Sequence, residues 1–264
     1  MPETAGVKVL MSHWVSGCPG DRLRAWGITP EQFESQMRHL AEEGYRTVSL
    51  REVVEVARGT RPAPEKAVAL TFDDGYTDFL HNALPVLERH GFTATVFLVA
   101  DQVGRTNAWD ARHGDPPRAL LGWEEAAALA DRGIAIGSHA RTHRFLTELS
   151  GAEMEEEIRG SKEMIENRLG RAVRFFSYPH GLHDDRCVAG VAAAGYEGAV
   201  ADIRGGNRAG TDPFRLRRTL VTVHDGCWSF AFKVRTGFGL REWARWRFGP
   251  SGIGPVPAPR EAVS

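Results

Sequence analysis

Nowhere in the 264 residues is there an apolar run long enough to span a bilayer. The opening MPETAGVKVLMSHWVSG also lacks the basic segment and long apolar core of a secretory leader, so the expected location is the cytoplasm. Cysteine is scarce. Cys18, Cys187 and Cys227 are odd in number, widely separated and without CxxC spacing, which argues against a zinc knuckle or redox pair and leaves reduced thiols. Neither sign of charge dominates: 33 basic residues against 34 acidic ones give a formal charge of -1, so there is no global electrostatic case for nucleic acid or an anionic membrane. Repeats and low-complexity tracts are absent until the tail GPSGIGPVPAPREAVS, where residues 249–264 are expected to be disordered. What is present is 42% hydrophobic residues, enough for one large domain over residues 1–248, a size at which α/β barrels commonly stay undivided.

Apolar strands alternate with amphipathic helices. Strands are expected at 7–15, 47–50, 67–72, 93–100, 134–138, 173–178, 197–202 and 216–223, and helices at 30–43, 51–58, 78–90, 123–131, 153–169 and 184–194. The first helix has a complete start signal in Thr29-Pro30-Glu31-Gln32, a capping Thr, a Pro at the first position and a Gln able to close a capping box, and Gly44 ends it. Pro85 predicts a kink or boundary inside the third helix. Repeated strand-helix alternation implies parallel strands with right-handed crossovers, hence a doubly wound sheet or a barrel, with the working site at the C-terminal strand ends.

Those strand exits carry His13, Asp73, Asp74, His139, His143, His180, His183 and His224. In LTFDDGY two carboxylates stand side by side where a strand runs out, and adjacent like charges repel. A divalent cation on Asp74 removes most of that repulsion and leaves Asp73 to act as a base. His139-Ala140-Arg141-Thr142-His143 places two imidazoles four residues apart, able to meet one ion if the backbone turns helically there. Two His and one carboxylate form an open metal set with room for water and substrate. The alternative for Asp73-Asp74-Gly75 is Asp-Gly turn chemistry with a cap for the next helix.

Thr71-Phe72-Asp73-Asp74-Gly75, His139-x-x-x-His143 and Phe176-Ser177-Tyr178-Pro179-His180-Gly181 resemble, in order, the first three motifs of the polysaccharide deacetylases, carbohydrate esterase family four, which share the chitooligosaccharide deacetylase domain. Leu10-Met11-Ser12-His13 and ITPEQFESQMRHLAEEGYRTVSL are similar to the opening of the poly-N-acetylglucosamine and exopolysaccharide branch. The resemblance covers about residues 8–223. It implies a distorted (β/α)7 barrel that removes acetyl groups from N-acetylated carbohydrate with one divalent ion, zinc foremost, with cobalt, nickel or iron as alternatives. It implies Asp73 as base, Asp74, His139 and His143 as metal ligands, and Tyr178, followed by Pro179, as the position whose backbone N–H helps hold the oxyanion.

The chain departs from the family pattern in places. Ala140 stands where Ser or Thr commonly follows the first His, and Ser177 where an Arg commonly orients the base, a role Arg217 or Arg218 could fill. A fourth motif is not evident. The final motif is matched loosely by Leu220-Val221-Thr222-Val223-His224, making His224 the candidate general acid with His13 its rival, either being alternatively a structural His. Trp14, Trp109 and Trp123 are candidate platforms for sugar rings, with packing as the alternative. Residues 228–248 interleave aromatics with Lys and Arg, which suits a terminal helix over the barrel or peripheral contact with a membrane. In the second case a lipid-linked or nucleotide-linked acetamido sugar is a sensible substrate. Other readings are a deacylase of O-acetyl esters or non-sugar amides, and a carbohydrate-binding barrel without turnover.

Overall fold

The computed structural model describes residues 6–17, 26–113, 116–240 and 243–244; Cys18 and the 249–264 tail lie outside them. The strands are β1 (Lys8–Ser12), β2 (Trp14–Val15), β3 (Gly27–Ile28), β4 (Arg46–Thr47), β5 (Ala67–Phe72), β6 (Thr95–Leu98), β7 (Ala135–Ser138), β8 (Phe175–Ser177), β9 (Gly198–Ala201), β10 (Leu216–Arg217) and β11 (Thr219–Leu220). The helices are α1 (Pro30–Glu42), α2 (Leu50–Ala57), α3 (Leu84–Arg89), α4 (Trp123–Asp131), α5 (Gly151–Glu155), α6 (Ser161–Leu169), α7 (Asp185–Ala193) and α8 (Cys227–Thr236).

Helix starts follow local chemistry. The Thr29 hydroxyl accepts from the Gln32 amide and the Gln32 side chain accepts from the Thr29 amide, closing the expected box on α1. Phe33, Met37 and Leu40 form its buried face. Ser49 and Glu52 cap α2 in the same way, which is why the strand expected at 47–50 stops at Thr47. Pro85 marks the expected boundary, with a π-helical turn, Phe79–Ala83, before it and α3 around it. The expected 7–15 strand is interrupted at His13. Beyond it, β2 leaves the barrel to pair with β3.

Parallel pairing runs β10-β9-β8-β7-β6-β5-β1-β11, with β4 added beside β5. Only Arg218 separates β10, which pairs with β9, from β11, which pairs with β1. The single segment 216–220 therefore closes the ring, and its seven positions make the (β/α)7 barrel. The strand expected at 216–223 is consequently two short pieces, because one segment must change partners at the seam.

Two cores flank the strands. Leu10, Val68, Leu70, Phe72, Val96 and Phe176 pack outward under α1, α3, α4, α6, α7 and α8. Val9, Ala69, Phe97, Phe175, Val200 and Leu216 pack together with the apolar face of α2. Strand side chains alternate with period two, so the second set faces the barrel interior. Gly137 shares that face, since a Cβ there would lie 2.4 Å from the Phe97 ring. Continuing each inward row to its strand end or past it gives 13 from 9, 73 from 69, 139 from 137, 177 from 175, 202 from 200 and 218 from 216.

Candidate active site

Those extended rows bring His13, Asp73, His139, Ser177, Asp202 and Arg218 to the C-terminal mouth, all of them polar. Asp74 is off that parity. It reaches the site because its backbone is left-handed, φ 71°, a conformation that short polar residues such as Asp tolerate better than most. Two adjacent acids thus enter one cleft from different directions. His139 follows β7, and His143 lies in a loop, so the two imidazoles meet without a helical turn, with Ala140 (φ 61°) and His143 (φ 64°) both left-handed.

The Nε2 atoms of His139 and His143 lie 3.6 and 3.5 Å from Asp74 Oδ1. One ligand atom from each of Asp74, His139 and His143 lies within 4.8 Å of the other two. Two donors each about 2.1 Å from one ion at a tetrahedral angle stand roughly 3.4 Å apart, so the spacing fits a shared cation. The chemistry of the donors agrees. His139 Nδ1 is 2.8 Å from the Ser177 carbonyl, which fixes the proton there and leaves Nε2 as the ligand atom. Asp74 Oδ1 is buried with no hydrogen-bond donor. Burial, then the charges of Asp110 and Asp73, push the Asp74 carboxyl well above its usual range, the penalty a cation would relieve.

Asp73 is held differently. Its Oδ1 accepts from Arg218 Nη1 at 2.8 Å and its Oδ2 from the Ser177 hydroxyl at 3.2 Å. Burial alone would raise its pKa, but the Arg218 guanidinium and His139 outweigh it and hold the carboxyl at about 2. Arg218 is 1% exposed, and its other Nη donates to Asp202 at 2.9 Å. Arg217 is not the base's partner; its guanidinium donates to the Arg204 carbonyl.

The cleft is walled by His13, Trp14, Trp26, Tyr76, Trp109, Asp110, His180 and Asp202 around the two aspartates and His139 and His143. Trp109 lies 4.7 Å from the His143 ring, whereas Trp123 packs against the core from α4. His180 stacks on Phe145 at 3.9 Å, and His183 on Tyr178 at 4.7 Å. His224 is corrected: it is exposed and outside the cleft, because the chain turns away after β11 and the Thr222–Asp225 loop holds it there. His13 is the histidine that shares the cleft with Asp73 and Asp202. Its Nδ1 is buried without a hydrogen-bond partner, and burial pushes the ring down to about 4 against the pull of Asp73 and Asp202. Tyr178, the position expected to help hold the oxyanion, is engaged within the fold. Its amide donates to the Val200 carbonyl at 3.3 Å, its phenol to Phe214 at 3.0 Å, and Pro179 is buried beside it. Asp202 and Trp26 are site residues missed in the sequence. The first was findable, as an acid at the exit of Ala199-Val200-Ala201.

With one acid placed to grip a cation and its neighbour held anionic by an arginine, these are the working parts of a metal-dependent barrel hydrolase. A family model described as polysaccharide deacetylase matches residues 60–199, and the chain belongs to that family. The poly-beta-1,6-N-acetyl-D-glucosamine N-deacetylase of Staphylococcus epidermidis is 23% identical over 225 residues, covering 80% of this chain and 74% of that protein. Its namesake from Escherichia coli K12 is 31% identical over 120 residues, covering 44% of this chain and 18% of the relative. Among solved structures, IcaB from Ammonifex degensii superposes with TM-score 0.76 at 24% identity over 88% of this chain and 97% of that one. The polysaccharide deacetylase BC0361 from Bacillus cereus superposes with TM-score 0.72 at 26% identity over 87% and 69%.

Loading the site has a thermal signature. An acid raised by folding contributes stability below its unfolded pKa and loses it as pH rises, so the metal-free protein carries its Asp74 penalty at neutral pH. Zinc at a hundredfold excess over Kd is expected to add about 2.7 kcal/mol, roughly 5–10 °C in Tm. The gain should shrink as pH falls, because the ligands must be deprotonated. Scanning calorimetry with zinc and then chelator checks this; a Tm indifferent to both would exclude the ion.

Proposed function

We propose that the chain removes N-acetyl groups from an acetamido sugar, with zinc held by Asp74, His139 and His143. The observation that carries this is Asp73, a buried carboxylate kept anionic by Arg218 and Ser177 beside an Asp-His-His set that fits a cation. A divalent ion there supplies Lewis acidity toward the acetyl carbonyl and makes nearby water easier to deprotonate. Asp73 takes that proton as attack on the carbonyl begins, while Arg218 and Ser177 fix the direction in which its oxygens point. The proton that Asp73 has taken from water is the one the departing amine needs, and His13, neutral at rest beside Asp73 and Asp202, is the group that relays it. Trp26 and Trp109 supply aromatic walls suited to sugar-ring faces, whereas Trp14 is buried in packing against Tyr76 and beneath Arg118.

The relatives' names support an N-acetylglucosamine polymer as the substrate class. A lipid-linked sugar is favoured by one feature: α8 buries Phe230 and Val234 on the barrel while leaving Trp228 88% exposed and Arg235 exposed. That face suits peripheral membrane contact. Acetate release from N-acetylglucosamine oligomers, UDP-linked and lipid-linked acetamido sugars, and O-acetyl esters tests the reading. Release from the oligomers is expected, preferential release from lipid-linked sugar would support the interfacial substrate, and release from esters alone would overturn the N-deacetylase assignment.

A further inference from the structure

The loop that carries His143 is in a conformation its own residues do not favour. Two of its five residues, neither of them glycine, are left-handed, and such backbone persists only where the surroundings fix it. Its carbonyls are fixed by the 3-10 turn that follows β6, Ala100–Gln102: the Ala100 and Asp101 amides donate to the Ala140 and Arg141 carbonyls at 3.0 and 2.9 Å. Its amides are fixed by something else. Arg141 and Thr142 both donate their N–H groups to Glu157 Oε2, each at 2.9 Å, and the Thr142 hydroxyl donates to Oε1.

Glu157 is out of place by any local rule. Of the acids in Glu153-Met154-Glu155-Glu156-Glu157-Ile158 it alone is buried, at 5% exposure and on the face of Met154 and Ile158. It sits in a π-helical turn, Glu156–Gly160, between α5 and α6, a local widening often found at functional sites. Gly160 closes the same turn, where a Cβ would crowd the Glu156 carboxylate at 2.9 Å and Arg141 Cδ at 3.0 Å.

From this juxtaposition we propose that Glu157 is a positioning residue for the metal centre: it clamps the Arg141–Thr142 backbone and so sets His143 opposite His139 and Asp74. The inference rests on Asp74, His139 and His143 holding the ion, and its test needs no turnover. Zinc affinity by chelator competition and the visible spectrum of the cobalt(II) protein are to be compared across variants, with metal-free melting as the check on folding. Glu157→Ala is expected to weaken zinc by about 10–100-fold, the usual loss for an outer-shell partner, and to change the cobalt spectrum. Glu157→Gln keeps an oxygen for both amides and should recover most of the affinity. Glu157→Asp, a methylene too short to reach both amides, should behave like Glu157→Ala and serves if the latter fails to fold. Wild-type affinity and spectrum in whichever of these two is folded would overturn the clamp. A wild-type protein that binds no zinc would instead overturn the metal reading beneath it.

Discussion

Asp73→Asn is expected to lower kcat by about 10²–10⁴-fold while zinc still binds, the range a positioned general base contributes. The physical reason is the division of labour between neighbours. Asp74 Oδ1 is the atom that lies 3.5–3.6 Å from both imidazole nitrogens, whereas the Asp73 oxygens are occupied by Arg218 and Ser177. An amide at 73 can still accept from Arg218 but cannot take a proton from water. Acetate release and zinc titration on the same preparation decide the matter. Undiminished turnover would remove Asp73 from its role, and lost zinc binding would mean that the two acids are not separable as described.

Arg218→Met should produce the largest change in stability. Its guanidinium is the cation between Asp73 and Asp202, and it is fully buried. Removing one partner of a buried ionic cluster typically costs about 3–5 kcal/mol, here on the order of 10 °C in Tm. The deficit should depend on pH, with a sign fixed by Asp73. In the wild type its folded pKa of about 2 lies below the unfolded 3.8, so it contributes about 2 kcal/mol above pH 4 that is lost as pH falls through 2. Without the guanidinium, burial governs Asp73 and raises its pKa, so the difference between variant and wild type is greatest near pH 7 and narrows toward pH 3. The acid limb of kcat/KM should move upward in parallel. Arg218→Lys should recover only part, because a single ammonium cannot fork to both carboxylates. Melts at pH 7 and pH 4 that show no loss at either would refute the bridging role.

Much of this site was legible before any fold was known. TFDDG at the end of an apolar run, and two histidines after another, are chemical statements tied to strand exits, and the period-two rule carries Asp73 and His139 into the cleft. The same rule applied to Ala199-Val200-Ala201 reaches Asp202. It does not reach Asp74 or His143, because both depend on left-handed backbone that an L residue adopts only under tertiary constraint. Nor does it select among His13 and His224, or Arg217 and Arg218. His224 follows an apolar strand as convincingly as His13 does, yet the chain turns outward after β11. Nor does that rule show what engages the Tyr178 amide: in the fold that N–H points to the Val200 carbonyl of β9.

By itself the sequence determined the alternation of elements, the cap that starts α1, and the identity of the acids and imidazoles, since propensity, periodicity and side-chain chemistry act over a few residues. Tertiary structure decided which of them meet. Closing the ring through residues 216–220 places Arg218 between Asp73 and Asp202, residues separated by more than a hundred positions along the chain. Contacts at that range follow from how strands register around a barrel, and no local pattern records it.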